Sequence, residues 1–441
     1  MKKEWKEFFD RAQLLQHNVT ELKKEIEQER YFTIGNVVEG RKLISVATPA
    51  QRQKRQETFF SPPVLLRQSL GQGFHDRVES YLFANGEILD KDKEVIDRYF
   101  PVHVKSTSIV EKTIKRGEKW DVTVTGERWG IKKEREVYNI LNIGRLKIEA
   151  GGKLIVRGNV LSFLCQELII ESDELPIQND YHIGILPTPY PVDLRSGPLH
   201  GENGQHGYNG TNGQDGMPPF LENTILGPIL RMPADAVDTV IRNGQDGTSG
   251  TSGTPGCNGR NGGMCRIAEI TIRNLEGRLK VFSQPGQGGN GGNGGNGGNG
   301  GNGGNGANGA RHLMGILPPG NGGNGGNAGN GSRGGHGGNG GICSNIYVNV
   351  PPGSEHAVHC LSLPAEGGRA GISGKAGLMG KGGQKGSLDD ADIEAENGKD
   401  GLSGKENTII PKDGKQRKAP DIFVNEVLSI KNINLKTERK W

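Results

Sequence analysis

A strict three-residue repeat is the feature that most constrains this 441-residue chain. From Gly288 to Gly306 the sequence consists of Gly-Gly-Asn triplets, and after an apolar break the triplets resume from Gly320 to Gly341. A period of three matches neither an α-helix, with about 3.6 residues per turn, nor a β-strand, with a period of about two. It matches the extended polyproline II helix, which rises about 3.1 Å per residue and makes no internal hydrogen bonds. The repeat therefore predicts extended rods that need neighbours.

The glycine columns of such rods predict how the rods pack. Each residue of a triplet points about 120° away from the next, so the two glycine columns of Gly-Gly-Asn form two bare faces. Another backbone can approach a bare face closely, and inter-rod hydrogen bonds would offset the entropy lost when glycine is ordered. The glycines predicted to form the bundle core are Gly292, Gly295, Gly298, Gly301, Gly323 and Gly326. The alternative, a flexible glycine-rich linker, does not require a strict register.

Glycine recurs at every third position in four further segments, which brings the number of tracts to six. In chain order the tracts span 201–216, 244–262, 288–309, 320–341, 368–386 and 398–404, and we number them 1 to 6. Tracts 1, 2, 5 and 6 carry mainly one glycine column, so we expect them at the edge of the bundle, with tracts 3 and 4 nearer its middle. A collagen triple helix is the alternative for a period of three, but these tracts are short and contain little proline.

Composition and charge exclude several classes of protein. Only 32% of the residues are hydrophobic, too few for one large conventional core. The formal net charge of +4 is weak and dispersed, so it does not indicate nucleic-acid binding. No apolar run is long enough to cross a membrane. The charged start, Met1 to Glu4, does not resemble a signal peptide, so we expect a protein that is cytoplasmic, assembled into a particle or released by a non-classical route.

Residues 1–30 predict one amphipathic helix. Apolar residues alternate at spacings of three and four, as in a coiled-coil seam. These residues are Trp5, Phe8, Ala12, Leu15, Val19, Leu22 and Ile26. One interpretation is a short coiled coil that makes a homo-oligomer or docks on a partner helix. The other is a single helix packed on its own chain, because about three heptads are marginal for a coiled coil.

Short alternating segments predict β-strands from Trp120 onward. Residues 144–161 alternate between apolar and polar side chains, and similar pieces recur between the glycine tracts, as expected for solenoid rungs or a sandwich. The predicted fold is mainly β, with a bundle of polyglycine II (polyproline II-type) helices and a short N-terminal α-helix. The predicted domains are the helix 1–30, a mixed α/β region 31–119, a β-rich region 120–196, the glycine bundle 197–405, and a basic loop with closing strands 406–441.

No residue pattern predicts catalysis, a cofactor or a metal site. The many Gly-x-Gly-x-x-Gly matches follow no strand–turn–helix unit. His200 and His206 lie six residues apart on tract 1 and, with Glu202 or Asp215, could bind a metal, although a solvated polar face is the simpler interpretation. The five cysteines lack zinc-finger and CxxC spacing. Apolar packing is the role we expect for them, with a Cys257–Cys265 or Cys265–Cys343 disulfide as the alternative.

Several glycine rods in one chain resemble the polyglycine II helix-bundle proteins. Examples are the snow-flea type of antifreeze protein and the tip adhesins of the long tail fibres of T4-like phages. The resemblance covers roughly residues 197–405 and rests on the period and the glycine columns. It implies either a flat face that binds ice, or loops at one end of the bundle that bind a host receptor while an N-terminal part attaches to a fibre. The strands between the rods depart from both examples.

Three functions follow from these patterns. The first is a non-enzymatic structural or adhesive protein, anchored or oligomerised through its N-terminal region, whose partner is a protein, a second copy or a cell-surface receptor. Its contact candidates are the insertion Met217–Val240 and the apolar break, in particular His312, Leu313, Met314, Ile316 and Leu317. The second is an ice-binding protein that uses the asparagine ladders. The third, an enzyme with the bundle as a spacer, has no supporting motif.

Overall fold

The computed structural model describes residues 5–59, 81–84, 100–130, 137–171, 181–188, 199–231, 239–389 and 394–429. The protein is mainly β, with 28% strand and 12% helix, as the sequence predicts. The strands form mixed sheets, and the glycine tracts lie between consecutive strands. The predicted domain limits fall partly outside the described residues and stay predictions.

The N-terminal region holds short helices instead of one long helix. In chain order it contains α1 (Lys6–Leu14), α2 (Val19–Lys23), β1 (Gln28–Ile34), α3 (Val37–Leu43) and α4 (Pro49–Phe59). The prediction of a single helix over 1–30 is wrong for two physical reasons. Gln16 adopts a positive φ of 60°, and the Asn18 side chain caps a new helix by accepting the N–H groups of Thr20 and Glu21.

The apolar seam of this region is buried within its own chain. Phe8, Ala12 and Leu22 are fully buried and pack with Val110 of β2 (Val102–Ile114), the partner strand of β1. Leu15 packs in a second cluster on the same side of the sheet, and Trp5 packs partly buried beside Phe8. Val19 is half-buried and Ile26 is 48% exposed. Most of the side chains predicted to oligomerise are therefore buried within their own chain, and oligomerisation through this region stays a prediction.

Eighteen strands follow one another in the described part of the chain. After β1 they are β2 (Val102–Ile114), β3 (Lys119–Asp121), β4 (Val137–Ile148), β5 (Lys153–Arg157), β6 (Val160–Ile170), β7 (Ile183–Leu186), β8 (Leu221–Thr224), β9 (Gly227–Leu230), β10 (Ala268–Ile272), β11 (Leu275–Glu276), β12 (Leu279–Ser283), β13 (Ala310–His312), β14 (Gly315–Leu317), β15 (Ile346–Asn349), β16 (Val358–Ser362), β17 (Ile422–Val424) and β18 (Val427–Leu428). A short helix, α5 (Thr239–Arg242), precedes tract 2.

The strands alternate between two sheets as the chain advances. The larger sheet has the order β1-β2-β4-β6-β10-β15-β17-β18, with β11 also on β6, and the smaller has the order β16-β12-β7-β5-β3. Within these two sheets, all strand pairs are parallel except β1 with β2 and β17 with β18. Leu141, Phe163, Ile270, Val348 and Val424 occupy matching positions on successive strands. They belong to one buried cluster that contains residues of both sheets.

The glycine tracts connect the smaller sheet to the larger one in pairs. Tracts 1 and 2 lie between β7 and β10, tracts 3 and 4 between β12 and β15, and tracts 5 and 6 between β16 and β17. Each tract pair therefore leaves the sheets and returns to them. Tract 6 continues to Lys415, whose N–H bonds to the Asn339 side chain.

Backbone hydrogen bonds join the tracts side by side. Tracts 1 and 2 are antiparallel, since Thr248 N–H donates to Thr211 C=O and Thr254 N–H donates to Gln205 C=O. Tracts 1, 3 and 5 run parallel to one another, and tracts 2, 4 and 6 do the same. Tract 3 bonds to tracts 1, 2, 4 and 5, and tract 4 bonds to tracts 2, 3, 5 and 6. The predicted central position of the two Gly-Gly-Asn tracts is confirmed.

At most contacts between tracts only glycine fits, although Ala307, Ala328 and Ser332 also stand in these columns. At Gly298 a Cβ would overlap the carbonyl oxygen of Tyr208, and at Gly326 it would overlap that of Thr248. The other glycines predicted to form the core, Gly292, Gly295, Gly301 and Gly323, would meet a carbonyl oxygen in the same way. Because backbone atoms cannot swing aside, the close approach excludes any side chain.

The asparagine column is exposed but bonded. The Asn299 N–H donates to Asn209 Oδ1 at 2.8 Å, and Asn299 Oδ1 accepts the N–H of Leu378 at 2.9 Å. The same pattern recurs at Asn293, Asn296 and Asn302. The amides therefore lie on the outside of tract 3, and their oxygens are acceptors for the next tract.

We predict that Gly298→Val prevents the bundle from closing, because the new side chain would overlap the Tyr208 carbonyl. The unfolding free energy should fall by about 4 kcal/mol or more. Asn299→Ser is the control, because Ser252 already fills the equivalent role towards Asn330 at 3.0 Å. Its cost should stay below about 1 kcal/mol. Denaturant titration measures both values, and equal effects would contradict the packing.

His17 predicts acid sensitivity of the N-terminal helices. Its ring bonds to Ser108 Oγ at 2.6 Å and to Ser106 Oγ at 2.9 Å on β2. Burial, assisted by the nearby Arg30, lowers the pKa of His17 to about 4. Since an unfolded histidine titrates near about 6.5, the unfolded state binds the proton first as the pH falls. The contribution of His17 to the free energy of unfolding is complete above about pH 6.5 and is lost as the pH falls towards about 4. In His17→Gln that part of the pH dependence of unfolding should disappear.

Candidate interaction surface at the distal end of the tracts

The three connections between paired tracts lie together at the end of the tracts away from the sheets. Their described parts comprise residues 217–231 and 239–243, residues 308–319, and residues 387–389 and 394–397. The Leu313 N–H donates to the Pro228 carbonyl at 2.8 Å, which joins the first connection to the second. The Gly309 N–H donates to the Ser387 carbonyl at 2.9 Å, which joins the second to the third. The distal end is therefore one continuous surface.

Two β-hairpins form the outermost part of this surface. Strands β8 and β9 flank a turn at Ile225 and Leu226, and β13 and β14 flank a turn at Leu313 and Met314. The glycine that follows each turn has a positive φ, 124° at Gly227 and 148° at Gly315. Such angles require glycine, and they bring the chain back sharply enough for two-residue turns.

Apolar side chains project from both turns. Ile225 is 105% exposed, Leu226 78%, Met314 88% and Leu313 53%. With Ile316, which is 43% exposed, these residues form a surface that we call the apolar tip. Clustered exposed apolar side chains are uncommon on soluble proteins and mark contact sites.

The residues of the predicted contact loop divide into two groups. Leu313, Met314 and Ile316 belong to the apolar tip, as the contact hypothesis requires. Leu317 is only 6% exposed and packs inward, and His312 is half-buried with its Nδ1 accepting the Met314 N–H at 3.3 Å. The last two residues shape the hairpin and are not available as contacts.

Sequence reasoning missed the residue that holds the tip. Arg242 ends α5 and is 2% exposed. Its guanidinium donates to the carbonyl of Asn308 at 2.9 Å and to that of Pro318, the two ends of the β13–β14 connection. A single arginine before a glycine tract gives no signal in the sequence, since its partners lie more than 60 residues away.

One ion pair lies in the β8–β9 hairpin. Arg231 and Glu222 pair at 2.5 Å across the β8–β9 hairpin. The two histidines considered as metal ligands lie elsewhere on tract 1, where each Nδ1 accepts an asparagine N–H of tract 3. Among the residues that the structure describes, no cluster of three His, Cys, Asp or Glu side chains could hold a metal ion.

The buried ionisable groups serve structure. Arg55 of α4 pairs with Glu269 and, at 2.9 Å, with Glu426, and all three are buried. Burial alone would raise the pKa of Glu269, but Arg55 and hydrogen bonds from Val46 N–H and the Ser45 hydroxyl lower it overall. The ion pairs thus fix α4 on the larger sheet.

Most of the cysteines pack in the interior. All five are free thiols, and Cys165, Cys265 and Cys343 are buried, as the packing interpretation predicts, whereas Cys257 is exposed. Burial raises the pKa of Cys165 to about 12 and that of Cys360 to about 11. Such thiols stay protonated at neutral pH and are poor nucleophiles.

Comparison with protein-family models, curated proteins and solved structures finds no match to this chain. No helix in the described ranges is long and apolar enough to span a bilayer.

We predict that Arg242→Leu loosens the tip without dissolving the bundle. Two carbonyl groups lose a charged donor, which costs about 1.5–3 kcal/mol. Amide exchange should rise at residues 308–319 and stay slow in the middle of tract 3. Lys at this position is the matched control, because it keeps the charge but cannot bond both carbonyls at once. Unchanged exchange in Arg242→Leu would contradict this role.

Proposed function

We propose that the alternating strands form a short β-solenoid and that the glycine tracts are polyglycine II helices projecting from it. The period of three and the lateral hydrogen bonds between tracts support the second part. The parallel pairing of strands from successive turns of the chain supports the first. On this proposal each solenoid turn from β7 onward extends into one out-and-back pair of rods.

We propose that the protein is a non-enzymatic adhesive or structural protein whose distal end binds a surface receptor. The observation that carries the proposal is the apolar tip. Ile225, Leu226 and Met314 are more than three-quarters exposed. They lie at the end of a bundle whose tracts are joined side by side by backbone hydrogen bonds. Leaving such side chains in water costs about 1.5–3 kcal/mol each relative to burial, and binding would recover it. Rigid hairpins also lose little entropy on binding.

The N-terminal region remains the proposed site of attachment to a larger particle. Its helices cover one end and one face of the larger sheet, and the tract pairs extend from the sheet edges towards the tip. Attachment through the heptad residues is not part of the proposal, because those side chains are buried in the chain itself.

The bonded asparagine ladders favour adhesion over ice binding. An ice-binding face would offer a regular array of free polar groups, whereas the oxygens of Asn293, Asn296 and Asn299 already accept N–H groups of tract 5. Thermal hysteresis measurements on the full-length protein are expected to give no activity.

The test is Leu226→Ser combined with Met314→Ser. Both side chains are largely exposed, so the melting temperature should stay unchanged while adhesion to the target cell or particle falls at least about tenfold. Tyr208→Ser is the matched control, because Tyr208 is 80% exposed in the middle of tract 1, away from the tip. It should leave adhesion intact.

Two outcomes would count against the proposal. Adhesion that survives the double substitution would exclude the tip as the contact site. A lower melting temperature with unchanged adhesion would mean that the hairpins only close the bundle.

A further inference from the structure

The tracts form three layers that are bonded in one direction. Tracts 1 and 2 make layer 1, tracts 3 and 4 make layer 2, and tracts 5 and 6 make layer 3. The Asn209 side chain and the Gly210 N–H of layer 1 bind the N–H and C=O of Asn299 in layer 2, at 2.8 and 2.7 Å. Asn299 and Gly300 bind Leu378 of layer 3 in the same way, both at 2.9 Å. We call this two-residue unit a clamp.

Layer 3 carries no clamps. The positions where asparagine stands in layer 2 hold long cationic and aliphatic side chains in layer 3. In tract 5 these are Arg369, Ile372, Lys375, Leu378 and Lys381, before the column ends in the polar Gln384 and Ser387, and in tract 6 they are Lys399, Leu402, Lys405, Lys412 and Lys415. The backbone of each residue bonds to layer 2. Its side chain therefore points away from the bundle, as the asparagine side chains of layer 2 point away from layer 1.

These side chains make a broad exposed face, which we call the basic face. Ile372 is 75% exposed, Leu378 73% and Leu402 72%, and the lysines between them are exposed as well. Within a tract, consecutive members of the column repeat every three residues, or about 9 Å in a polyproline II helix. Cations and large aliphatic groups thus alternate along two adjacent rods.

The acidic residues of layer 3 do not cancel this pattern. Asp400 and Asp413 lie in the neighbouring column of tract 6 and turn towards tract 5, where their carboxylates accept the N–H groups of Gly382 and Ala370 at 2.8 and 2.7 Å. In the two columns that face outward, the acids Glu366 of tract 5 and Glu396 of tract 6 stand at the ends, where their carbonyls accept the N–H groups of Gly288 and Gly322. The carboxylates of Asp400 and Asp413 therefore lie between the rods, and the middle of the outer face carries the cations.

We infer that the basic face docks on the surface of an anionic lipid bilayer. Lysines alone would suit any polyanion, but Ile372, Leu378 and Leu402 would gain nothing from a fully polar polymer. A bilayer interface satisfies both groups, because aliphatic side chains enter the boundary between headgroups and acyl chains while lysines meet the lipid phosphates. This inference concerns a different surface from the apolar tip and does not depend on the adhesive function.

The basic face also has a purely protective explanation. Lysines on the last layer would prevent another glycine rod from adding to it, as they do on exposed β-sheet edges. That explanation requires charge but no aliphatic side chains, so the two roles can be separated by substitution.

The experiment measures co-sedimentation of the full-length protein with vesicles of phosphatidylcholine containing phosphatidylserine, and with phosphatidylcholine alone. Binding should require the anionic lipid and weaken as salt is raised. In Lys375→Gln with Lys381→Gln the affinity should fall on the order of twentyfold, since each lysine near such a surface contributes about fivefold. Ile372→Ser with Leu378→Ser should also weaken binding to vesicles.

Polyphosphate, a polyanion that has no apolar phase, separates the contribution of the lysines from that of the aliphatic side chains. Binding to polyphosphate should fall with the lysine pair but not with the aliphatic pair. If the aliphatic pair leaves vesicle binding unchanged, or if wild type does not sediment with anionic vesicles, the inference is overturned. The variant pair Leu226→Ser and Met314→Ser should bind vesicles like wild type, so failure here is separable from failure of the tip. Self-association of the lysine variant without any vesicle binding by wild type would leave only the protective role.

Discussion

The bundle depends on backbone hydrogen bonds between tracts that approach, at most of their contacts, too closely for any residue but glycine. An isolated polyproline II rod leaves its N–H and C=O groups to water, and glycine loses more entropy on ordering than any other residue. In this chain the N–H groups of tract 3 donate to backbone carbonyls of tracts 2 and 5 and to side chains of tract 1. The N–H groups of tract 4 donate in turn to backbone carbonyls of tract 3. No large apolar core is needed, which explains how a chain with 32% hydrophobic residues orders so much glycine.

The sheets determine the register of the tracts. Because each tract pair leaves from the smaller sheet and re-enters the larger one, the strand pairing of β7, β12 and β16 also aligns tracts 1, 3 and 5. The stack ends at three layers for a local reason. In layer 2, one column is glycine because layer 1 packs against it; in layer 1, the same column holds larger residues such as Gln205 and Tyr208. At the other end of the stack, layer 3 carries lysine and aliphatic residues where layer 2 has the asparagine of the clamp.

Periodicity predicted what depends on local geometry and missed what depends on distant partners. The tracts, the central position of Gly-Gly-Asn and the exposure of Leu313 and Met314 follow from spacing alone. The heptad pattern failed because Gln16 and Asn18 break the helix and the large sheet supplies a burial site that no local pattern reveals. Arg242 and the bonded asparagines were equally invisible, since their partners lie 66 to 90 residues away.

Site-resolved amide hydrogen exchange tests the central claim most directly. In tract 3 the amides of Gly297, Gly298 and Asn299 all donate to neighbouring tracts, so exchange should be uniformly slow. In tract 1, Gly210 and Thr211 donate, whereas no bond in the described part of the chain involves the Asn209 N–H. Every third amide of tract 1 should therefore exchange fast. Fast exchange throughout both tracts would contradict the account.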